Sequence, residues 1–222
     1  AALFPMEVIS VGIMYYAALV PCVFSAFIGE HISVLMGVRT LTAPYPVEEV
    51  PKFYGIAWGK AILLAICFAF AGALFCVMLH IFEKQLKKWF QNPYLRVFVG
   101  GVTVVLLWKI TGTDTYLGLG GGTIAQSFAE PQKLWVFLLK ILFTCITLCS
   151  GFKGGEIVPS LFIGATFGSA LAPIFGMPVD ICAACGMVGV FCAVTNSPIS
   201  SLLIAFELFG FAGMPYFCTV IA

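Results

Sequence analysis

Two adjacent glycines, Gly154 and Gly155, stand between apolar runs of a strongly hydrophobic chain. They allow a sharp turn and leave the backbone uncovered. Pro159 suits the first turn of a helix, where an amide proton would have no partner. A helix that begins after Glu156 would present unpaired amides and about half a positive charge, which together attract an anion. The sequence therefore predicts an anion site made by Gly154, Gly155, Glu156, Ile157, Val158 and Pro159.

Glu156 is the residue of this motif that can titrate. A carboxylate at this position could cap the helix, compete with the anion or carry a proton. An acid within a membrane segment is a functional candidate by default. We therefore predict that Glu156 couples protons or ions, with simple helix capping as the alternative. Lys153 would add positive charge near the entrance of the site.

The composition indicates the environment in which this motif must fold. Of the 222 residues, 61% are hydrophobic and 9% are charged, and the mean hydropathy is +1.08. Because soluble domains carry about 25% charged residues, we expect an integral membrane protein. The apolar runs do not alternate with polar residues as barrel strands would, so the expected fold class is all-α. A net charge of +1 gives no basic stripe for nucleic acid.

Apolar runs without charge mark the predicted helices. About 20 residues cross a bilayer core, and the runs 8–29 and 61–79 approach or exceed that length. The lysines that follow the second run place its end in the cytoplasm by the positive-inside rule. Residues 111–130, with three consecutive glycines, are predicted to be a non-helical break. Residues 157–179 and 181–206 are predicted to form several short helices, because glycine and proline interrupt them often.

Polar groups elsewhere in the chain are assigned structural roles. The nine cysteines lie mostly in apolar runs, where a thiol acts as a small hydrophobe. The two histidines are too far apart in sequence for a protease-type zinc motif, so no metal or cofactor is predicted. Lys109 and Lys140 are expected to extend toward the membrane surface along their alkyl chains. Glu7 and Glu207 are expected to reach water at helix ends, with burial and pairing across an interface as the alternative.

The motif Gly-Gly-Glu-Ile-Val-Pro at 154–159 resembles the G-G-x-F-x-P motif of the CLC chloride channels and proton-coupled antiporters. Three further segments are similar to that family and follow in the same order. They are GLGGGT at 118–123, the helix from Asn196-Ser197-Pro198 to Glu207, and the segment from Ala1 to Glu7. The resemblance covers nearly the whole chain.

This resemblance implies a CLC-type helical transporter built from inverted repeats, with two subunits and one anion pathway in each. The chain would be partial and mainly the second repeat. Three segments follow by position: 1–37 as the end of the first repeat with interface helices, 38–56 as a loop, and 57–222 as the second repeat, truncated before the last helix. The ion-site helix would start within 151–168. The homodimer would form in the lipid bilayer through helices near 1–35 and 197–222.

One departure from the common motif concerns the anion. Most members of the family have a hydrophobic residue, often followed by Phe, where this chain has Glu156 and Ile157. A Glu after G-F-K-G-G resembles the bacterial fluoride-exporting branch, which exchanges fluoride for protons. Where this chain has Val158, a hydroxyl residue such as Thr is expected in that branch.

The resemblance implies fluoride export coupled to protons as the function. The alternatives are a voltage-gated-type chloride channel or chloride–proton antiporter, and, from a different class, a non-transporting fragment. No enzymatic activity is expected, because the sequence offers no nucleophile–base pair or metal cluster. The expected location is a cell membrane crossed several times, which in bacteria is the inner membrane.

Overall fold

The computed structural model describes residues 3–8, 16–37, 47, 50–51 and 55–222. The regular structure in this part of the chain is helical and includes no strand, which confirms the all-α prediction. The helices are α1 Phe4–Val8, α2 Leu19–Leu35, α3 Ile56–Trp89, α4 Pro93–Thr111, α5 Gly121–Ala129, α6 Trp135–Cys149, α7 Ile157–Phe175, α8 Val179–Thr195, α9 Pro198–Phe209 and α10 Met214–Ile221. The predicted loop at 38–56 lies almost entirely outside the described residues.

Four helical stretches of the described chain are long and apolar enough to cross a membrane. They are Tyr16–Leu35, which joins a 3₁₀ turn to α2, and the helices α3, α4 and α7. α3 has 34 residues, so it exceeds the length that a bilayer core requires. Its last turn carries Lys87 and Lys88, which are the basic residues typical of a helix end at the membrane surface.

The most extensive helix contact in the core is that between α7 and α8, and glycines make it possible. A Cβ atom on Gly164 would lie 2.2 Å from the carbonyl oxygen of Gly186, and one on Gly168 would lie 2.2 Å from the carbonyl oxygen of Cys182. The two backbones therefore touch directly, as small residues allow in membrane helix pairs. Cys182 and Cys185 are buried in α8 as free thiols.

The helix bounds correct two of the sequence predictions. α2 does not end with the charge-free run 8–29 but continues through Glu30 and His31 to Leu35. The stretch 111–130 is not a continuous break, because α5 occupies nine of its residues. Gly120, with a φ of 68°, provides the left-handed turn from which α5 starts, so the glycines position a helix there.

The prediction of several short helices is wrong for residues 157–179 and confirmed for residues 181–206. α7 continues as a single helix of 19 residues, and Pro173 lies inside it close to its C-terminal end. A proline in the last turn removes few helix hydrogen bonds, so the helix is not cut there. The run 181–206 is divided into α8 and α9 at Asn196, which has a φ of 52°.

Glu7 connects the two ends of the chain. Its carboxylate accepts hydrogen bonds from the amides of Ile199 at 2.9 Å and Ser200 at 2.7 Å, in the first turn of α9. The expectation that Glu7 merely reaches water is therefore wrong, because a helix N-terminus supplies it with two charge-assisted donors. Glu207 is exposed in this chain.

Candidate functional site

The start of α7 leaves two backbone donors without an acceptor. α7 begins at Ile157, directly after Glu156, and the amide of Ser160 donates to the carbonyl of Glu156 at 3.0 Å. No described residue accepts a hydrogen bond from the amides of Ile157 or Val158. Pro159 has no amide proton to add. These unpaired donors and the dipole of a 19-residue helix form the electropositive end on which an anion site can be built.

A cavity of about 580 Å³ lies beside this helix start. Four residues of the predicted site line it: Gly155, Ile157, Val158 and Pro159. A Cβ atom on Gly155 would meet nothing within 4 Å, so the backbone is uncovered at this point. The opposite walls come from α4, α6 and the segment 116–119 between α4 and α5, and they are largely apolar. An anion that enters this cavity would therefore meet backbone donors in surroundings of low polarity.

Glu156 lines a different cavity, of about 440 Å³. It occupies the N-cap position of α7, but its side chain accepts no hydrogen bond from the helix amides. The same cavity is lined by four other acidic or basic side chains: His80, Glu83, Lys87 and Arg96. Glu83 and Lys87 form an ion pair one helical turn apart. The exposed carboxyl group of Glu156 thus faces a charged recess and is not held as a cap.

Gly154 has a packing role beside the two cavities. It is not among the residues that line either of them. A Cβ atom at this position would lie 2.8 Å from Cδ2 of Leu148. The predicted site is therefore divided: four of its residues line the larger cavity, Glu156 lines the smaller one, and Gly154 allows the chain to pass close to α6.

Lys140 is the residue of this region that the sequence interpretation missed. It was expected to extend to the membrane surface, yet it is 2% exposed. Its Nζ donates to the carbonyl of Tyr116 at 3.1 Å and to that of Gly118 at 2.8 Å. It also lines the larger cavity. The sequence feature that could have identified Lys140 is its position in the middle of an apolar helix, where an ionisable residue is a functional candidate. Lys109, in contrast, is exposed.

Metal-binding groups are sparse in the described part of the chain. No cluster of three or more His, Cys, Asp or Glu side chains that could hold a metal ion occurs there. All nine cysteines are free. The polar groups that converge in this region are backbone amides, carbonyls and single charged side chains, which are suited to small ions.

These helices and their internal ion-attracting terminus define a multi-pass α-helical membrane protein. The chain belongs to the voltage gated chloride channel family, whose family model matches residues 1–222. A relative described as a chloride/fluoride channel protein, from Pseudomonas syringae pv. tomato, is 36% identical over 215 residues, which cover 94% of this chain and 47% of the relative. A putative ion-transport protein, YfeO of Escherichia coli, is 31% identical over 153 residues, which cover 65% of this chain and 35% of the relative.

The fold agrees with a solved structure of the same family. The crystal structure of a CLC-type fluoride/proton antiporter superposes with a TM-score of 0.92 at 31% sequence identity. The match covers 99% of this chain and 55% of that one. The chain thus spans about half the length of the relatives that it matches, which agrees with the prediction of a partial CLC-type fold.

Proposed function

We propose that this chain forms part of an anion transporter that exports fluoride in exchange for protons. The observation that carries the proposal is the position of Glu156 at the start of α7. Its carboxyl group is committed to no helix amide, and it adjoins two amides without acceptors. A titratable acid and two amides without acceptors are thereby built into consecutive residues of one chain segment.

The unpaired amides of Ile157 and Val158 support the anion half of this proposal. In a cavity with apolar walls, two backbone donors and the positive end of a helix dipole stabilise a negative charge more strongly than they would in water. The anion would enter the cavity of about 580 Å³ and bind where Gly155 leaves the backbone uncovered.

The surroundings of Glu156 support the proton half. The carboxyl group lines a recess with His80, Lys87 and Arg96, and the lysines at the end of α3 predict that this side faces the cytoplasm. A negative Glu156 would oppose an anion at the neighbouring amides, whereas a protonated one would not. The binding of a proton and the binding of an anion would therefore depend on each other, and such a link is a requirement for coupling their movements.

Fluoride is favoured over chloride by the Glu that follows Gly154-Gly155, which resembles the fluoride-exporting branch. The solved relative is likewise described as a fluoride/proton antiporter. Fluoride is small and strongly hydrated, so its site must replace many water contacts. A protonated acid beside the amides would supply one further donor.

Val158 supports chloride channel or chloride–proton exchange activity as a second candidate. It stands where a hydroxyl group would otherwise donate to the ion, and its side chain offers no donor. The relative from Pseudomonas is described as a chloride/fluoride channel protein, so both anions are tested together.

The proposed assembly is a homodimer in a lipid bilayer, with contacts through helices near 1–35 and 197–222. α2 has no buried residue in this chain, and it exposes the apolar side chains of Phe24, Phe27 and Ile28. These side chains would be covered by lipid, by the partner subunit or by further parts of the protein.

The decisive experiment uses the full-length protein that carries this chain, reconstituted into liposomes loaded with fluoride or chloride. Anion efflux and internal pH are recorded together. We expect fluoride efflux coupled to proton uptake, with little chloride efflux. The E156Q variant should lose the coupling, whereas E130Q, which changes an exposed glutamate after α5, should behave as wild type.

Two results would contradict the proposal in different ways. Chloride efflux as fast as fluoride efflux would assign the protein to the second candidate function. If proton coupling survives in E156Q, Glu156 has no part in the mechanism and is only the residue that precedes the first turn of α7.

A further inference from the structure

Lys140 is a buried cation that pairs with no carboxylate in the part of the chain that the structure describes. Its side chain is 2% exposed, and Nζ lies 4.7 Å from the centre of the Phe162 ring. Its hydrogen bonds go to the carbonyls of Tyr116 and Gly118. Among the described residues, no Asp or Glu lies within salt-bridge distance of Nζ. A buried charge without a counter-charge is unfavourable in an apolar interior, so a negative ion that came close would be strongly stabilised.

The position of Lys140 makes such an approach possible. It lines the same cavity as Ile157 and Val158, whose amides have no acceptor. The cavity therefore has two positive elements from different parts of the chain: the start of α7 and a side chain of α6. These two observations are independent, since one concerns backbone amides and the other a buried ammonium group.

The carbonyls that Lys140 binds are part of the cavity wall. Tyr116 and Gly118 line the cavity, and their carbonyl oxygens carry partial negative charge that would repel an anion. Gly118 has a φ of 58°, a left-handed conformation that glycine adopts without strain, and its carbonyl accepts from Nζ at 2.8 Å. By accepting from Lys140, both carbonyls are held against a positive group, which offsets their partial negative charge.

We propose that Lys140 is an anion-binding residue of this cavity, which supplies a positive charge in addition to the amides of Ile157 and Val158. This inference rests on the proposed anion transport and adds a charge that the 154–159 motif does not contain. The ligand class is a small monovalent anion. An ammonium group attracts any monovalent anion and does not by itself select for one. Lys140 therefore strengthens the binding of both fluoride and chloride.

The test measures the concentration dependence of anion efflux for the full-length protein and four variants in liposomes. K140M removes both the charge and the hydrogen bonds. K140Q removes the charge but keeps donors for the two carbonyls, and K140R keeps the charge. K109M serves as the matched control, because Lys109 is an exposed lysine in the last turn of α4. Size-exclusion chromatography in detergent checks that each variant is monodisperse.

We expect K140M and K140Q to raise the half-saturating concentration of both anions by about tenfold or more, which is the effect of one unit charge at close range in a protein interior. K140R and K109M should keep the wild-type value.

If K140Q has wild-type half-saturation, the charge is unnecessary, Lys140 only anchors the segment 116–118, and the proposal is overturned. If K140M does not fold, K140Q and K140R still decide between these outcomes. Absence of anion efflux in the wild type would contradict the proposed function itself, whereas wild-type efflux with an unaffected K140Q would contradict only the role of Lys140.

Discussion

Replacement of Gly164 by alanine tests whether direct backbone contact between α7 and α8 holds the anion-site helix in place. The new Cβ atom would lie 2.2 Å from the carbonyl oxygen of Gly186 and 2.8 Å from Cα of Met187. Ordinary contacts of a Cβ atom begin at 3.4 Å, so the helices would have to separate by roughly 1 Å. The opposing atoms belong to the backbone and cannot rotate aside as a flexible side chain would.

The size of the effect follows from two opposing contributions. Overpacking of a well-packed core costs about 1–3 kcal/mol, while replacement of a helical glycine by alanine contributes up to about 1 kcal/mol of stability. Because the clash is backbone against backbone, we expect the first contribution to dominate, with a net loss of about 1–2 kcal/mol. For a chain of this length, that corresponds to a fall in Tm of about 2–8 °C.

Thermal unfolding in detergent provides the assay, and Gly59 provides the matched control. A Cβ atom on Gly59 in α3 would meet nothing within 4 Å. G59A should therefore leave Tm unchanged or raise it slightly, whereas G164A should lower it and slow anion efflux, since α7 carries the proposed site. If G164A is as stable and as active as G59A, the close packing of α7 on α8 does not position the site.

Three further predictions concern other contacts. E7A should lower the free energy of unfolding by about 1–2 kcal/mol, because α9 loses a charged N-terminal acceptor. E30A changes an exposed residue of α2 and should leave the free energy of unfolding unchanged in the same thermal assay. V158T should strengthen fluoride binding about two- to tenfold by adding a donor at the cavity, and equal affinities in a fluoride titration would contradict a direct contact. Y216F should lower the free energy of unfolding by about 1 kcal/mol, because the 3.1 Å hydrogen bond to the carbonyl of Pro51 is lost. An unchanged unfolding curve would contradict a stabilising role of this hydrogen bond.

The start of α7 and its close packing could be predicted from the sequence because local rules determine both. Two glycines followed by a proline indicate where a helix can begin, and Gly164 and Gly168, four residues apart, indicate one side that another helix can approach closely. The helix limits elsewhere were less predictable. The glycines in residues 111–130 indicate a break in the helix, but they also form the left-handed turn from which α5 starts. The sequence alone does not distinguish these two roles.

The roles of Lys140 and Glu7 depend on partners distant in sequence. Lys140 binds carbonyls 24 and 22 residues earlier, and Glu7 binds amides 192 and 193 residues later. Any lysine in an apolar helix has a long alkyl chain that could reach the surface, so only the tertiary structure shows that this one points inward. The same holds for an acid near a helix end, because water and a second helix are both plausible partners.

The division of consecutive residues between two cavities bears directly on coupling. Glu156 lines the charged recess, whereas Ile157 and Val158 line the cavity with apolar walls. Under the proposed function, a proton could reach Glu156 through the charged recess while the anion reaches the amides through the other cavity, so the two ions need not share an entrance. Their binding free energies are then linked through one helix start, and linkage is reciprocal. A proton on Glu156 that strengthens anion binding by a given factor requires that the bound anion strengthen proton binding by the same factor. The charge of Lys140 is not part of this exchange, because it attracts the anion whether or not Glu156 carries a proton. Loss of Glu156 should therefore reduce the dependence of anion affinity on pH, while loss of the Lys140 charge should weaken affinity and keep the part of that dependence that Glu156 provides.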